Sequence, residues 1–201
     1  MKIIVATKNV HKIKELSEML ALPEIELVSL RDMGFTGEIE ENGSTFEENA
    51  LIKARTVCDL YGLPALADDS GLCVDALGGA PGIYSARYAS TDGQNSDDAA
   101  NVRKLLAALD DVPEEKRTAR FVCAIALALP NGTDRTVTGS CEGSITREVF
   151  GEGGFGYDPV FYCPTFGKTF GETTDAEKNT VSHRFHAVKQ IKTELLRLLN
   201  V

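Results

Sequence analysis

Positive charge is scarce in this chain. Its 201 residues hold 21 lysines and arginines against 30 aspartates and glutamates, and the formal net charge at pH 7 is −9. A protein that binds duplex nucleic acid needs a basic surface, so this composition argues against a nucleic-acid partner. It is compatible with a small anionic ligand, because local basic groups and a bound metal can reverse the sign of the field within one site.

Long apolar runs and closely spaced cysteines are also missing. No run approaches the roughly 20 apolar residues that a membrane-spanning helix needs, and no charged and apolar leader precedes the first predicted strand. The five cysteines are odd in number, widely spaced, and include no C-x-x-C pair. These absences predict a soluble cytoplasmic protein with reduced, buried thiols, no membrane partner, and neither a disulfide framework nor a zinc site.

Two adjacent carboxylates follow directly on a predicted buried strand. The apolar residues from Pro64 to Ala67 predict the strand, and Asp68, Asp69, Ser70 and Gly71 come next. Carboxylates at the end of a strand point into the crevice where open α/β sheets bind ligands. A divalent cation such as Mg²⁺ would relieve the repulsion between them. The alternative interpretation is a polar turn that caps the next element.

The N-terminus predicts a strand, a polar turn and a helix. Lys2 to Ala6 form the strand, and Asn9 is placed to cap a helix with an apolar face. Free backbone N–H groups at such a helix start attract phosphate, and Lys12 would add a positive charge one turn into the helix. An ordinary capped unit with a surface lysine is the alternative interpretation.

A second helix is predicted from Phe46 to Tyr61, with Gly62 as its C-terminal cap residue. Ser44 with Glu47 and Thr45 with Glu48 offer two overlapping capping boxes at its start. Lys53 is assigned to the more polar side of this helix. The acidic residues just before the helix and the two aspartates after the next strand are expected to meet, which with a phosphate would give an octahedral Mg²⁺ site.

The second half of the chain predicts a helix, a hairpin and a glycine-rich loop. Asn131-Gly132 connects two strand-like segments, which predicts a β-hairpin and therefore a mixed sheet. Gly151 to Gly156 match G-x-G-x-x-G, but no helix pattern follows, so a dinucleotide site is rejected. The loop is interpreted as a mobile lid, in which Phe155 and Tyr157 present an aromatic face to a planar ligand.

Six segments, taken in order, resemble the inosine/xanthosine triphosphate pyrophosphatase family. They are Thr7-x-Asn9-x-x-Lys12, Thr45-Phe46-x-Glu48-Asn49-Ala50, Ala67-Asp68-Asp69-Ser70-Gly71, Gly79-Ala80-Pro81-Gly82, Gly154-Phe155-Gly156-Tyr157-Asp158-Pro159 and Ser182-His183-Arg184. The resemblance implies Mg²⁺-dependent hydrolysis of ITP, dITP and XTP to the monophosphate and pyrophosphate, which removes deaminated purines from the nucleotide pool.

The resemblance also implies the architecture. Residues 1–201 would form a single α/β pyrophosphatase domain with two lobes around a long central mixed β-sheet flanked by helices. The active-site cleft would lie between the lobes, and the protein would be a homodimer.

Individual roles follow from the same resemblance. The triphosphate is assigned to the residues of the first turn: Thr7, Lys8, Asn9, Val10, His11 and Lys12. Glu40 and Asp69 would bind Mg²⁺, with Glu41 and Asp68 as further candidates. Ser70 would contact a phosphate oxygen, and Lys53 is a further candidate for substrate binding. Asp69 is assigned as the general base, and the choice between Asp68 and Asp69 as the dominant base stays open.

The purine is assigned to two later segments. The base-stacking loop would consist of Phe155, Gly156, Tyr157 and Asp158. Lys178, His183 and Arg184 would read the edge of the base.

Two other functions stay open at this point. One is a related pyrophosphatase that acts on other modified bases, and the other is a module that binds nucleotides without hydrolysing them. The acid cluster favours an enzyme, because a binding module does not need a base beside a metal. The sequence indicates no Ser/His/Asp or Cys/His nucleophile, so direct attack by water is the simplest mechanism.

Overall fold

The computed structural model describes residues 1–199, in which strands and helices alternate through the first half and four strands then follow one another before the last two helices. The strands are β1 (Lys2–Val5), β2 (Glu26–Ser29), β3 (Ala65–Val74), β4 (Thr118–Ala128), β5 (Asp134–Ile145), β6 (Phe161–Cys163) and β7 (Lys168–Thr169). The α-helices are α1 (Val10–Met19), α2 (Phe46–Tyr61), α3 (Asp98–Ala108), α4 (Asp175–Lys178) and α5 (His183–Leu199).

The strands form one seven-stranded sheet in the order β2-β1-β3-β4-β5-β6-β7. β1 pairs in parallel with β2 and β3, whereas β6 pairs antiparallel with β5 and β7. β4 and β5 are neighbours joined only by residues 129–133, a connection too short for a parallel crossover. The predicted hairpin and the predicted mixed α/β sheet are therefore confirmed.

The chain divides into two compact units. The first consists of Met1–Asp69, Cys123–Gly139 and the C-terminal segment that begins at Arg184, and the second of Ser70–Val122 and Ser140–His183. The first unit has a core that includes Ile3 of β1, Leu16 of α1 and Ile191 of α5. The second unit has its own core, built around three phenylalanines: Phe121, Phe161 and Phe170.

The predicted helix boundaries around α2 are confirmed. Thr45 Oγ1 accepts a hydrogen bond from Glu48 N at 3.1 Å, and Gly62 ends the helix in the left-handed region at φ +64°. The predicted box between Ser44 and Glu47 is wrong, since Ser44 donates from N and Oγ to Glu48 Oε2 at 2.6 and 2.7 Å. The Glu48 carboxylate therefore binds Ser44 and not Thr45 N, so the predicted box between Thr45 and Glu48 forms only through the bond from Glu48 N to Thr45 Oγ1.

β3 does not end before the two aspartates, which corrects the predicted strand end. The strand continues through Asp68 and Asp69 as far as Val74. Successive side chains of a strand point to opposite faces of the sheet, so the two carboxylates are directed apart. Asp68 pairs with Lys12 and Arg184, and Asp69 pairs with Lys53, so protein cations reduce the repulsion that was predicted to require a divalent metal ion.

Two further sequence predictions concern the cysteines and membrane spans. All five cysteines are free thiols, and four of them are buried, as predicted. Within residues 1–199, no helix combines the length and the apolar character that crossing a membrane requires.

Candidate functional site

Asp68 is the centre of a buried group of charges in the first unit. Its side chain is fully buried, and Oδ1 lies 2.5 Å from Lys12 Nζ. Oδ2 accepts hydrogen bonds from Arg184 Nε at 2.8 Å and from Cys123 Sγ at 3.0 Å. Arg184 is 1% exposed, and its other side forms an ion pair with Glu15 of α1.

The surroundings of Asp68 fix it as an anion. Burial opposes the charge, but the guanidinium of Arg184 and the ammonium of Lys12 more than offset this and hold the pKa of the carboxyl well below its usual range. The same carboxylate raises the pKa of Arg184 despite burial of the guanidinium. A carboxylate with such a low proton affinity is a poor general base.

Asp69 lies in a different environment. Its Oδ1 accepts a hydrogen bond from Lys53 Nζ at 2.7 Å, and Glu41 Oε1 lies 3.1 Å from the same ammonium. The pKa of Asp69 is raised, because burial and the charge of Glu41 outweigh the opposing effects of Lys53 and Lys12. A carboxyl with a raised pKa that keeps a single strong partner is suited to accepting a proton.

Lys53 is buried, which corrects its assignment to the polar side of α2. It is 7% exposed, and its pKa is raised because Asp69 and Glu41 together outweigh the cost of burying the ammonium. A buried lysine needs such partners, and both of them lie far from it in the sequence. The prediction that acidic residues from before α2 and from β3 approach one another is confirmed for Glu41 and Asp69.

The turn between β1 and α1 has the predicted capped form. Thr7 Oγ1 accepts from Asn9 N at 3.2 Å, and Asn9 Oδ1 accepts from the N–H groups of His11 and Lys12 at 2.9 and 3.2 Å. The cap thus occupies two of the N–H groups that were predicted to attract phosphate. Lys8, Val10 and His11 are exposed, whereas Lys12 is half-buried against Asp68.

The donor set around Lys53 fits a hard divalent cation. Glu41 and Asp69 already converge on one positive charge, and both offer carboxylate oxygens. In residues 1–199 no three histidine, cysteine or acidic side chains stand together in a ready-made metal site. Mg²⁺ commonly takes only one or two protein carboxylates and completes its shell with substrate phosphates and water, so a two-carboxylate set suits it. Glu40 is exposed, and its assignment to the metal stays a prediction.

A second buried ion pair lies in the second unit. Asp158 Oδ2 accepts from Lys178 Nζ at 2.6 Å and from Phe155 N at 2.9 Å. The ammonium of Lys178 also lies 4.5 Å from the centre of the Phe155 ring. This cation–π contact and the ion pair fix the half-buried Phe155 ring at the end of its glycine-rich loop.

Tyr157 does not belong to an aromatic lid, contrary to the prediction. Its ring is 4% exposed within the core of the second unit, and its hydroxyl donates to Ser85 O at 2.8 Å. Burial raises the pKa of this phenol. Of the Phe155 and Tyr157 rings, only that of Phe155 is half-exposed. Gly154 and Gly156, on either side of Phe155, have positive φ and turn the backbone there.

Ser182 and the first residues of α5 are buried. His183 is 4% exposed and stacks on Phe121, with 4.8 Å between ring centres and 17° between planes. Ser182 is fully buried. The structure thus encloses His183, and Arg184 next to it points into the Asp68 group of the first unit.

We expect Gly154→Ala to destabilise the second unit and displace Asp158. Gly154 has φ +73°, and an added Cβ would lie 2.1 Å from Asp158 Oδ2. A non-glycine residue at such a positive φ costs about 1–3 kcal/mol, and the collision with Asp158 adds to this cost. Thermal unfolding measures the loss, and Gly156→Ala is the control, because its φ is +63° but no atom lies within 4 Å of the added Cβ. Equal losses in the two variants would contradict the collision with Asp158.

Sequence reasoning missed Glu15 and Cys123. Glu15 is three residues after Lys12 and shares its helix face, which was a usable signal. Cys123 comes from an apolar strand and gave no signal in the sequence. Neither residue belongs to the segments that carried the resemblance.

Comparisons with known proteins agree in sequence and in fold. A model of the Ham1 family matches residues 3–194. The dITP/XTP pyrophosphatase of Desulforamulus reducens is 53% identical over 98% of this chain and 97% of its own length. That of Bacillus subtilis is 49% identical over 94% of this chain and 93% of its own. The solved structure of a HAM1 protein from Coxiella burnetii matches with TM-score 0.88 and 43% identity, covering 98% of this chain and 99% of that one.

Proposed function

Because this chain belongs to the Ham1 family, we propose that it is a nucleoside-triphosphate pyrophosphatase that hydrolyses dITP, XTP and ITP to the monophosphate and pyrophosphate. The assignment as a hydrolase follows from relatives at about 50% identity over nearly the whole chain, which are named dITP/XTP pyrophosphatases. The substrate range carries over from those names as a proposal.

The observation that carries the proposal is the contrast between two neighbouring carboxylates. Asp68 is held as a fixed anion by Lys12 and Arg184, whereas Asp69 has a raised pKa and adjoins Lys53 and Glu41. Paired acids whose environments drive their pKa values apart are typical of acid–base sites. A protein that only binds nucleotides has no need for this separation.

Asp69 is the general base in this proposal. Its carboxylate accepts the proton of the attacking water, and the ammonium of Lys53, 2.7 Å away, orients it and stabilises its charged form. Lys12 contributes positive charge toward the triphosphate from the start of α1, and Ser70 donates to a phosphate oxygen. No covalent intermediate on the protein is needed, because water attacks phosphorus directly.

We propose Mg²⁺ as the cofactor, with Asp69 and Glu41 as the residues best placed to hold it and Glu40 as the neighbouring candidate. When bound, the ion neutralises the charge that develops on the phosphate oxygens. Asp68 is not among the proposed ligands, since Lys12, Arg184 and Cys123 already occupy both of its oxygens.

Purine recognition is proposed for residues of the second unit. Phe155 offers a half-exposed ring that Lys178 and Asp158 hold in place, and Gly156 continues the loop. Lys178 and His183 supply polar groups for the base edge. The reading of the base edge by Arg184 stays a prediction, because the guanidinium pairs with Asp68 and Glu15.

The test of this function is pyrophosphate release from dITP, ITP and XTP. We expect turnover with Mg²⁺ and its loss in EDTA, with ATP as a poor substrate. ATP has an amino donor where the preferred purines have an acceptor, and a buried polar mismatch allows strong discrimination. Nucleotide binding without pyrophosphate release would favour a sensing module instead.

Lys12→Ala is expected to raise KM for the triphosphate by about tenfold, the equivalent of one lost charge-assisted contact of about 1.4 kcal/mol. The effect should shrink as ionic strength rises, because salt screens the attraction between the ammonium and an incoming triphosphate. Lys14→Ala is the matched control, since Lys14 lies on the same helix and pairs only weakly with Glu18 at 3.9 Å. An unchanged KM at every salt concentration would return Lys12 to a purely structural role.

We further propose a cytoplasmic homodimer. Five free thiols are typical of a reducing compartment. Val149 and Phe150, adjacent in the second unit, are 55% and 45% exposed and offer apolar surface to a partner. Light scattering coupled to size exclusion measures the mass, and a species of 21.7 kDa would contradict the dimer.

A further inference from the structure

Asn49 is a buried amide in the first turns of α2 that no role assigned above uses. It is fully buried, and its Oδ1 accepts a hydrogen bond from Gly43 N at 2.9 Å. Lys53 follows it by four residues on the same face of the helix. The amide therefore lies one turn from the ammonium that Asp69 and Glu41 share.

The chain from Glu41 to Ser44 is held closely against this part of α2. An added Cβ on Gly43 would lie 2.7 Å from Glu48 Cβ and 2.8 Å from Asn49 Oδ1, so only glycine fits there. Ser44 donates to Glu48 from both N and Oγ, at 2.6 and 2.7 Å. Gly43 and Ser44 are thereby anchored to the helix. Glu41, two residues before Gly43, pairs with Lys53 from this anchored segment.

Asn101 shows what a buried asparagine does when it serves the fold alone. It is 1% exposed on α3, its Oδ1 accepts from Ala89 N, and its Nδ2 donates to Ala86 O. Asn49 uses only half of its amide in this way, since its buried Nδ2 has no hydrogen-bond acceptor within residues 1–199.

We propose that Asn49 is a positioning residue of the candidate site: its amide oxygen fixes Gly43 against α2 and so fixes the Glu41 carboxylate beside Lys53. The role in metal binding rests on the proposed function, because Glu41 is there a candidate ligand of Mg²⁺. Residues that orient a metal ligand typically change affinity 10- to 100-fold when removed.

The role of Asn49 in metal binding is tested with Mn²⁺, a spectroscopic substitute for Mg²⁺. The electron paramagnetic resonance signal of the free ion measures how much Mn²⁺ is bound. Asn49→Ala should raise the Kd about tenfold, and Gly43→Ala should match it, because the added methyl group displaces the same anchor without removing a polar group. The controls are Asn101→Ala and Gly37→Ala, which should stay within twofold of wild type. An added Cβ on Gly37 meets only the Phe35 ring of its own segment.

A double-mutant cycle separates positioning from a general loss of structure. The double variant with Asn49→Ala and Glu41→Gln should bind Mn²⁺ no more weakly than the single variant Glu41→Gln, because both changes remove the same ligand. Losses that multiply, or wild-type affinity in both Asn49→Ala and Gly43→Ala, would overturn the proposal. Gly43→Ala supplies the result if Asn49→Ala does not fold.

The urea midpoints of the same variants test the anchor without metal or substrate. The shift caused by Glu41→Gln should be smaller in the Asn49→Ala background than in wild type, and equal shifts would overturn the anchor itself. Failure of the proposed function is recognised separately, as a wild-type protein that releases no pyrophosphate from dITP, ITP or XTP.

Discussion

Asp69→Asn is expected to lower kcat for dITP by at least about 10²-fold, the usual contribution of a positioned general base. The amide has the shape of the carboxylate but cannot accept the proton of the attacking water. KM should change less than kcat, because Lys12 and the first turn remain intact. Steady-state pyrophosphate release measures both constants, and thermal unfolding checks that the fold persists.

The pH profile sharpens this test. A base must be deprotonated to act, so the wild-type rate should fall as the pH drops through the pKa of Asp69. That acidic limb should be absent from the residual rate of Asp69→Asn. Lys53→Met should move the limb to higher pH, because the ammonium lowers the pKa of Asp69. A variant of Asp69 with near-full turnover would shift the assignment to Glu41.

Arg184→Ala is expected to destabilise the protein by about 3–5 kcal/mol, the cost of removing one partner from a buried ion pair. The change leaves Asp68 and Glu15 enclosed without the guanidinium that joins them. For a chain of this length each kcal/mol corresponds to about 2–4 °C, so the melting temperature should fall by about 6–20 °C. Arg197→Ala is the matched control on α5, since Arg197 is exposed and pairs with Glu194 at the surface.

The same variant separates a structural role from purine reading. If Arg184 acts through Asp68, the ratio of kcat/KM for ITP over ATP should stay at the wild-type value while stability falls. If it reads the 6-oxo group, the ratio should narrow mainly through lost ITP activity. Unchanged stability would contradict the buried network as described.

The loss of stability at acidic pH gives a second test of the ion pairs between Arg184, Asp68 and Glu15. The pKa of Asp68 is lowered in the folded state, so its contribution to stability is complete above the unfolded pKa near 3.9 and is lost as the pH falls through the lowered value. Removing Arg184 brings the two pKa values closer together. Arg184→Ala should therefore lose less additional stability than wild type on acidification below pH 4.

Local chemistry determined much of the fold from the sequence alone. Asn9 as a helix cap, Gly62 as a helix end and the hairpin around Asn131-Gly132 each depend on hydrogen bonds or backbone angles within a few residues. The sequence also predicted that acidic residues from before α2 and from β3 would approach one another. Features that depend on residues close together in the sequence can be predicted before any tertiary contact is known.

Tertiary structure alone decided which charges meet and which side chains are enclosed. Lys12 and Asp68 are 56 positions apart, and Glu15 and Arg184 are 169 apart. Helical periodicity assigned Lys53 to a polar face, and the loop pattern assigned Tyr157 to a lid, yet both are buried. A charged or polar group is buried only when distant residues supply its partners, so its environment depends on the packed chain and not on its neighbours in sequence.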